Sequence, residues 1–182
     1  MRILRQRVVS AWMRSAAIMA VTGAAAPLNG QARPPDNAPP ASAERAAILA
    51  VVDSALNFIT TGKYAALADL MLPEAQIYSA REHEGAIQYR MRTAAQERQR
   101  PAGAAIVERG FDSEVRLSGP IAVVWLPYDL YAGGRWSHCG IDIFTLVRVG
   151  EAWRIGNLTY SVEQPPACRQ HPAGPPPGMQ SP

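Results

Sequence analysis

The stretch that decides the fold is residues 120–162, PIAVVWLPYDLYAGGRWSHCGIDIFTLVRVGEAWRIGNLTYSV. Three segments within it, and one before it, are rich in Val, Ile, Trp and Tyr: 105–117, 120–131, 135–149 and 152–162. Glycine-containing dipeptides typical of hairpin turns separate them, at Ser118-Gly119, Gly133-Gly134 and Gly150-Glu151. This pattern predicts four antiparallel strands in a meander.

The chain before the meander has a helical pattern. Three helices are predicted, at 42–61, at 64–72 and from Thr93 onward, with a short strand at 75–80. Gly62 is a typical helix stop, and Thr93 and Gln96 have the spacing of a capping box. Helices followed by a long meander predict an α+β domain with the helices packed on one face of a curved sheet.

Both ends of the chain differ in composition from this middle region. Residues 1–32 contain four arginines, an uncharged run of small apolar residues and a small-x-small exit, the layout of a secretory signal peptide. An uncleaved anchor is less favoured, because the run is shorter than the roughly 20 residues that a membrane span needs. Proline-rich segments at 33–43 and 164–182 are predicted to be a linker and a tail disordered beyond Cys168. The folded domain is therefore predicted to span 44–163.

Taken over the whole chain, the formal net charge of +3 would indicate nucleic acid or a membrane surface as a partner, but the excess positive charge is not evenly distributed. That excess lies in the predicted signal peptide. Residues 1–32 hold four arginines and no acidic residue, so 14 basic and 15 acidic residues remain. We therefore expect no nucleic-acid partner, no membrane association after signal cleavage, and a periplasmic or secreted protein.

The glycine turns also predict which strand residues face each other. If each turn has two residues, Asp129 lies opposite His138 and Asp142 lies opposite Thr159. Alternation of side chains then collects aromatic and polar residues on one face: Trp125, Asp129, His138, Asp142, Phe144, Trp153, Asn157 and Thr159. The other face is mainly aliphatic. A bulge is the alternative, and it would bring Tyr128 opposite His138.

The mixed face is predicted to be a pocket wall. Carboxylates and an imidazole among aromatic rings acquire shifted pKa values and suit acid–base chemistry or ligand orientation. The candidate catalytic residues are His138, Asp142 and Asp129. The candidate ligand-binding residues are Trp125, Tyr128, Phe144, Trp153, Asn157 and, on the earlier strand, Tyr78. The alternative interpretation is a solvated sheet face that carries an ordinary ion pair.

These residues occur in a pattern that resembles a known superfamily. The run from Val123 to Cys168, with the motif SHCG at 137–140 and a Trp-Arg-Ile strand at 153–155, resembles the nuclear transport factor 2-like superfamily. More narrowly, it resembles the SnoaL-like or lumazine-binding-like branch. The resemblance implies a cone-shaped α+β fold, with N-terminal helices on a strongly curved antiparallel sheet around a cavity. It also implies a homodimer that forms through the sheet.

The superfamily contains enzymes and binding domains, so the resemblance leaves several functions open. The first is an exported protein that binds a small, largely apolar ligand. The second is an isomerase, dehydratase or hydrolase in which Asp142 or His138 moves a proton while Asp129 orients the imidazole. The third is a dimerisation module with a filled cavity.

Three further features bear on cofactors and covalent structure. Cys139 and Cys168 are predicted to form a disulfide that ties the tail to the sheet, because thiols oxidise in an exported protein. The run Glu82-His83-Glu84 is interpreted as solvated charge rather than a metal site. The sequence has no phosphate loop and no dinucleotide fingerprint, so no cofactor is expected.

Overall fold

Three helices precede or interrupt a sheet of seven strands. The computed structural model describes residues 42–180, so the predicted signal peptide and nearly all of the predicted linker lie outside the described residues. The helices are α1 (Ser42–Thr60), α2 (Tyr64–Asp69) and α3 (Ala94–Arg98). The strands are β1 (Met71–His83), β2 (Ala86–Thr93), β3 (Ile106–Gly110), β4 (Glu114–Ser118), β5 (Ile121–Ala132), β6 (Arg135–Val149) and β7 (Ala152–Val162). Within residues 42–180, no helix has the length and apolar character needed to cross a membrane.

Helix α1 packs on the sheet through apolar residues at helical spacing. Ile48, Val52 and Ala55 are fully or almost fully buried in one core that includes residues of β5, β6 and β7. Gly62 adopts φ +65°, a conformation that favours glycine, and lets the chain turn from α1 into α2. The predicted capping box of α3 is confirmed, because the Thr93 and Gln96 side chains each accept the other residue's backbone N–H.

The predicted meander is confirmed in outline. The strand order is β2-β1-β7-β6-β5-β3, with β4 also paired to β5. Strand β1 pairs in parallel with β7, so the sheet is mixed and not wholly antiparallel. The predicted strand at 105–117 is split into β3 and β4 at Asp112, which has φ +48°. The split faces Pro127, which lacks an amide hydrogen, and at this point the Phe111 N–H donates to the Pro127 carbonyl at 3.0 Å.

Strand β2 was not predicted. The polar stretch after the predicted strand is the end of β1 and a tight turn, in which Glu84 and Gly85 both have positive φ. The chain then returns as an edge strand whose residues are nearly all exposed. Ile87, Tyr89 and Met91 do alternate with polar residues, which is a strand signal that the prediction missed, although this apolar side is exposed and not buried.

A bulge at Ser137 sets the register of the β5–β6 hairpin. Between the turn and the bulge the pairing is as predicted, but beyond it β6 is displaced by one residue. His138 consequently lies opposite Leu130, and Asp129 lies opposite Cys139. The predicted pairing of Asp129 with His138 is wrong, and the observed bulge shifts the register in the opposite sense to the alternative considered above.

A second bulge, at Gly156, displaces β7 relative to β6. Asp142 pairs with Tyr160, so the predicted pairing of Asp142 with Thr159 is wrong. Because successive side chains point to opposite faces, each one-residue shift moves a strand's side chains to the other face of the sheet. The two bulges therefore combine residues from both predicted faces.

The two faces of the sheet now have different compositions from those predicted. The inner face, on which α1 packs, carries Ile77, Leu126, Tyr128, Leu130, His138, Asp142, Phe144, Leu146, Leu158 and Tyr160. The outer face carries Tyr78, Trp125, Asp129, Cys139, Asn157 and Thr159.

The C-terminal tail, residues 164–180, lies along the outer face. The predicted disulfide between Cys139 and Cys168 is present. Beyond it, the Gln170 side-chain amide donates to the Tyr131 hydroxyl, and the Trp136 N–H donates to the Gln180 carbonyl at 3.1 Å. The tail differs from the predicted disorder beyond Cys168 because these contacts satisfy its polar groups on the sheet.

Candidate functional site

A cavity of about 260 Å³ lies between the inner face of the sheet and the three helices. Its apolar wall is formed by Ile59, Leu67, Ile77, Ile106, Leu130, Ala132 and Leu158. Its polar groups come from Arg92, Glu97, Arg100, Glu108, Tyr128, Ser137, His138, Asp142 and Tyr160. An apolar enclosure with a few convergent polar groups is the usual form of a small-molecule site, and this volume is near the lower end of the common range.

Two carboxyl groups meet in the cavity wall. Asp142, on β6, is 2% exposed and hydrogen-bonds Glu108, on β3. Burial raises the pKa of Asp142 well above its usual range, and the charge of Glu108 and the hydrogen bond to it act in the same direction. Burial also raises the pKa of Glu108 to about 7, although the hydrogen bond from Asp142 and the charge of Arg100 oppose the rise. Asp142 is therefore the protonated partner and donates to Glu108.

One oxygen of this pair is available for a further hydrogen bond. Asp142 Oδ2 is buried, and no donor among residues 42–180 reaches it. Glu108 is partly exposed and lines the cavity. The backbone N–H of Glu108 donates a hydrogen bond to the Thr60 hydroxyl at 3.0 Å. That contact fixes β3 to the end of α1 and so holds the Glu108 side chain towards Asp142.

His138 lines the same cavity, four residues before Asp142 on β6. Its Nδ1 lies 3.0 Å from the Ser137 hydroxyl, and its ring packs edge-on against Tyr128 with the centroids 6.0 Å apart. Burial lowers the pKa of His138, so the imidazole is neutral at neutral pH. Tyr128 donates its hydroxyl hydrogen to the Ser161 carbonyl at 2.8 Å, and burial raises its pKa far above the usual range.

An ionic cluster closes one side of the cavity. Glu97 is fully buried and accepts from Arg92 at 2.7 Å and from Arg100 at 3.1 Å. The Arg100 guanidinium also lies over the Tyr64 ring, 4.0 Å from its centroid. Glu97 is held by both arginines, so the cluster has a structural role in keeping α3 against the cavity and retains a net charge of about +1.

The structure places only part of the predicted site in the cavity. His138, Asp142 and Tyr128 line it. Phe144 and Trp153 are buried in the hydrophobic core beside it. The prediction is wrong for Trp125, Asn157, Tyr78 and Asp129, which the two bulges place on the outer face.

Asp129 has a structural role on the outer face. It is fully buried, and its two carboxylate oxygens accept from Arg109 Nε at 3.0 Å and Nη2 at 2.5 Å. The backbone N–H of His171 in the tail donates to it at 3.0 Å. Asp129 therefore anchors the tail, and it cannot orient His138, which lies on the other face.

Sequence reasoning missed Glu108 and placed Tyr160 on the wrong face. A signal for Glu108 exists, since it is a lone acidic residue within the apolar strand segment at 105–111. The Glu108 side chain points to the inner face because Glu108 pairs with Leu130, and this pairing could be predicted only with the correct register of β3 on β5. Within residues 42–180, no group of three His, Cys, Asp or Glu side chains is arranged to hold a metal ion, and Glu82, His83 and Glu84 are exposed at the β1–β2 turn.

Comparisons with known proteins identify the fold. No protein-family model matches the chain, and no curated protein matches it significantly. Among solved structures, the chain is similar to a nuclear transport factor 2-like protein with a cystatin-like fold from Novosphingobium aromaticivorans, with 13% identity and a TM-score of 0.54 over 66% of this chain and 82% of that one.

Two other solved structures agree. A protein of unknown function with a cystatin-like fold from Nostoc punctiforme is 7% identical, with a TM-score of 0.55 over 69% of this chain and 96% of that one. A protein from Novosphingobium aromaticivorans, described as the beta subunit of an aromatic-ring-hydroxylating dioxygenase, is 9% identical, with a TM-score of 0.57 over 67% and 90% of the two chains. Identities this low establish the fold alone. The chain therefore has the nuclear transport factor 2-like fold that its sequence resemblance implied.

Proposed function

We propose that the protein binds a small, largely apolar molecule in this cavity, with the Asp142–Glu108 pair and His138 as its polar anchors. The observation that carries the proposal is the buried Asp142 Oδ2, which no donor in the described residues reaches. A buried polar atom without a partner costs free energy, and a ligand hydroxyl or N–H at this point would recover it. The apolar wall would enclose the rest of the molecule.

Binding to the cavity can be tested with N-phenylnaphthylamine, a neutral apolar dye whose fluorescence rises in apolar surroundings. The variant Ala132→Trp fills the cavity from a half-buried position, and we expect its affinity for the dye to fall about tenfold or more. Ala152→Trp is the matched control, because Ala152 is exposed at the start of β7 and lines no part of the cavity. Equal affinity in the two variants would contradict the proposal. Native mass spectrometry of the purified protein would identify a ligand that is retained during purification.

A cofactor-free acid–base enzyme is the second candidate. It is favoured by a specific observation, a carboxyl pair that shares a proton near neutral pH in a cavity that a neutral imidazole also lines. Such a pair can take a proton from one carbon of a carbonyl compound and return it to another. The test is the exchange of the α-hydrogens of cyclohexanone in deuterium oxide, followed by NMR. Catalysis that is lost in the Asp142→Asn/Glu108→Gln double variant would support the enzyme, and a wild-type rate equal to that of buffer would oppose it.

Export and dimerisation complete the proposal. The disulfide supports a periplasmic or secreted location, because disulfides persist in oxidising compartments. A homodimer through the outer face is supported by Trp125 and Ile121, which are 46% and 50% exposed on β5. Sedimentation velocity should then give a dimer for the wild type and a monomer for Trp125→Ser, and a monomeric wild type would exclude this dimer.

A further inference from the structure

A groove adjoins the cavity at the end where β1 and β2 project beyond the rest of the sheet. The groove and the cavity share four lining residues, namely Arg92, Ser137, His138 and Tyr160. A molecule seated in the cavity can therefore extend past His138 into the groove. The groove is the entrance side of the proposed site.

The inward side of the β1–β2 hairpin gives this groove a strong positive charge. Arg81 pairs with Gln88, and Ser79 pairs with Arg90, so Arg81 and Arg90 are diagonal neighbours on one face. Diagonal neighbours in such a hairpin are about 7–8 Å apart, a spacing that lets two long side chains reach one group. The lining also includes Arg92 and His138 but contains no Asp or Glu.

Arg81 and Arg90 have no acidic partner, whereas six of the other ten arginines in residues 42–180 do. Those six are Arg92, Arg98, Arg100, Arg109, Arg148 and Arg169. Among residues 42–180, neither Arg81 nor Arg90 forms an ion pair, and the side-chain contact of Arg81 is a long one, 3.4 Å to Gln88. The nearby acids Glu82 and Glu163 line a second depression that Arg81 also borders, but neither forms an ion pair with Arg81.

The chemistry of guanidinium groups indicates what would occupy this position. Each presents a planar fork of N–H donors that matches the oxygens of a carboxylate, phosphate or sulfonate. Two unpaired guanidiniums facing one groove, with no acid in its lining, repel each other unless an anion lies between them. The groove therefore has a charge and a donor pattern complementary to a small oxyanion.

We infer that Arg81 and Arg90 bind the anionic group of an amphipathic ligand whose apolar part occupies the cavity. The inference rests on the proposed function and narrows it to organic acids: aromatic or aliphatic compounds that carry one carboxylate, phosphate or sulfonate. In this arrangement the apolar part passes His138, and the acid group remains in the solvent-accessible groove. Arg92 stays with Glu97 and supplies long-range positive charge.

The test compares two dyes that share one ring system. Anilinonaphthalene sulfonate is anionic, and N-phenylnaphthylamine is its neutral counterpart. We expect Arg81→Gln/Arg90→Gln to weaken binding of the sulfonate about tenfold and to leave binding of the neutral dye unchanged. Both arginines are exposed, so the double variant should fold normally, and circular dichroism checks this. Arg116→Gln/Arg135→Gln is the control with the same change of charge, since these two arginines line no part of the groove.

The outcomes separate this inference from the proposed function. Unchanged sulfonate affinity in Arg81→Gln/Arg90→Gln, or an equal loss in the control, would overturn the inference. Failure of the neutral dye to bind the wild type would oppose the cavity proposal. If the sulfonate still bound in that case and Arg81→Gln/Arg90→Gln abolished its binding, the groove would remain an anion site without the cavity. Mutual displacement of the two dyes from the wild type is expected if the cavity and the groove form one site.

Discussion

Glu108 and Asp142 carry most of the chemical information in this molecule. Each is an ordinary acidic residue in the sequence, and only burial beside the other makes either of them unusual. Two ionised carboxyls cannot share a small apolar cavity without a large electrostatic cost, so one keeps its proton. The pair couples the stability of the protein to pH.

The first prediction concerns this pH dependence. The pKa of Glu108 is raised from 4.5 to about 7, so the folded protein retains a proton that the unfolded chain releases between these values. The stability that this proton contributes is complete below about pH 4.5 and is lost as the pH rises through about 7, by roughly 3 kcal/mol. Glu108→Gln should remove most of that loss because an amide does not titrate. Urea denaturation at a series of pH values between about 5 and about 8 measures the free energy of unfolding.

The control for this prediction is Glu114→Gln, an exposed carboxyl on β4 that does not line the cavity. This variant should show the same dependence of the free energy of unfolding on pH as the wild type. The lowered pKa of His138 acts in the opposite direction below about pH 6.5, because the folded state then disfavours a proton that the unfolded chain accepts. The difference between wild type and Glu108→Gln therefore isolates the contribution of Glu108, because His138 and Asp142 are present in both. The same pH dependence in both would show that Glu108 does not retain its proton in the folded state.

Asp129 shows how a residue-level prediction fails. Its position in a polar-aromatic pattern with His138 suggested a catalytic partner, but a single unpaired residue, Ser137, places it on the other face. There it meets Arg109, its direct cross-strand neighbour on β3. Asp129 is instead a fully buried carboxylate with a structural role. Its partner could not be identified without the register.

At the scale of the element, the β5–β6–β7 meander depends on a close approach at Gly140. A Cβ atom at this position would lie 2.3 Å from the Ser161 carbonyl oxygen and 2.7 Å from its hydroxyl. The same serine accepts from Tyr128 and, through its hydroxyl, from the Ile141 N–H. Any side chain at residue 140 would therefore separate β6 from β7 beside the candidate site.

We predict that Gly140→Ala destabilises the protein by about 2–4 kcal/mol, because the backbone oxygen it meets cannot rotate away. Gly156→Ala is the matched control. It also lies in the meander, but its nearest contact would be an ordinary 3.6 Å, so its effect should be below about 1 kcal/mol. Thermal or urea unfolding of the two variants measures the difference. Equal stability of the two would contradict the close approach seen at residue 140.

At the scale of the whole molecule, the tail and the sheet form one packed unit. The disulfide joins residues that are 29 positions apart and brings the tail onto the outer face. The cavity is on the opposite side of the sheet. The tail therefore contributes to stability and covers part of the outer face. It lines no part of the cavity, and of the tail only Gln164, at its start, lines the groove beside the cavity.

We predict that Cys139→Ala/Cys168→Ala lowers the free energy of unfolding by roughly 3 kcal/mol, since the unfolded chain regains the entropy of an open loop of this length. The tail should become sensitive to limited proteolysis, whereas affinity for N-phenylnaphthylamine should stay within about twofold of wild type because the cavity is intact. A truncation after Cys168, which keeps the disulfide, is the control for loss of tail contacts alone. A loss of dye affinity equal to that of Ala132→Trp would show that the tail supports the cavity.

The sequence by itself determined the three helices, the last three strands with their turns, and the pairing of the two cysteines, but it missed β2 and the division of residues 105–117 into β3 and β4. These features depend on local signals: hydrophobic periodicity, glycine at turns, a capping box, and two cysteines placed to bridge strand and tail. It also determined that His138 and Asp142 share a face, because both lie on β6 beyond the bulge at Ser137 and are four residues apart.

Only the tertiary structure decided which other residues join His138 and Asp142 in the cavity. A sheet repeats every two residues, so one unpaired residue at Ser137 and another at Gly156 exchange the faces of whole strands. No local signal marked the bulge at Ser137, and a lone strand glycine such as Gly156 is compatible with a bulge but does not fix a register. For this reason Asp129 lies on the outer face, whereas Tyr160 lies in the cavity with His138 and Asp142. The pairing of β1 with the unpredicted strand β2 places Arg81 and Arg90 together at the entrance.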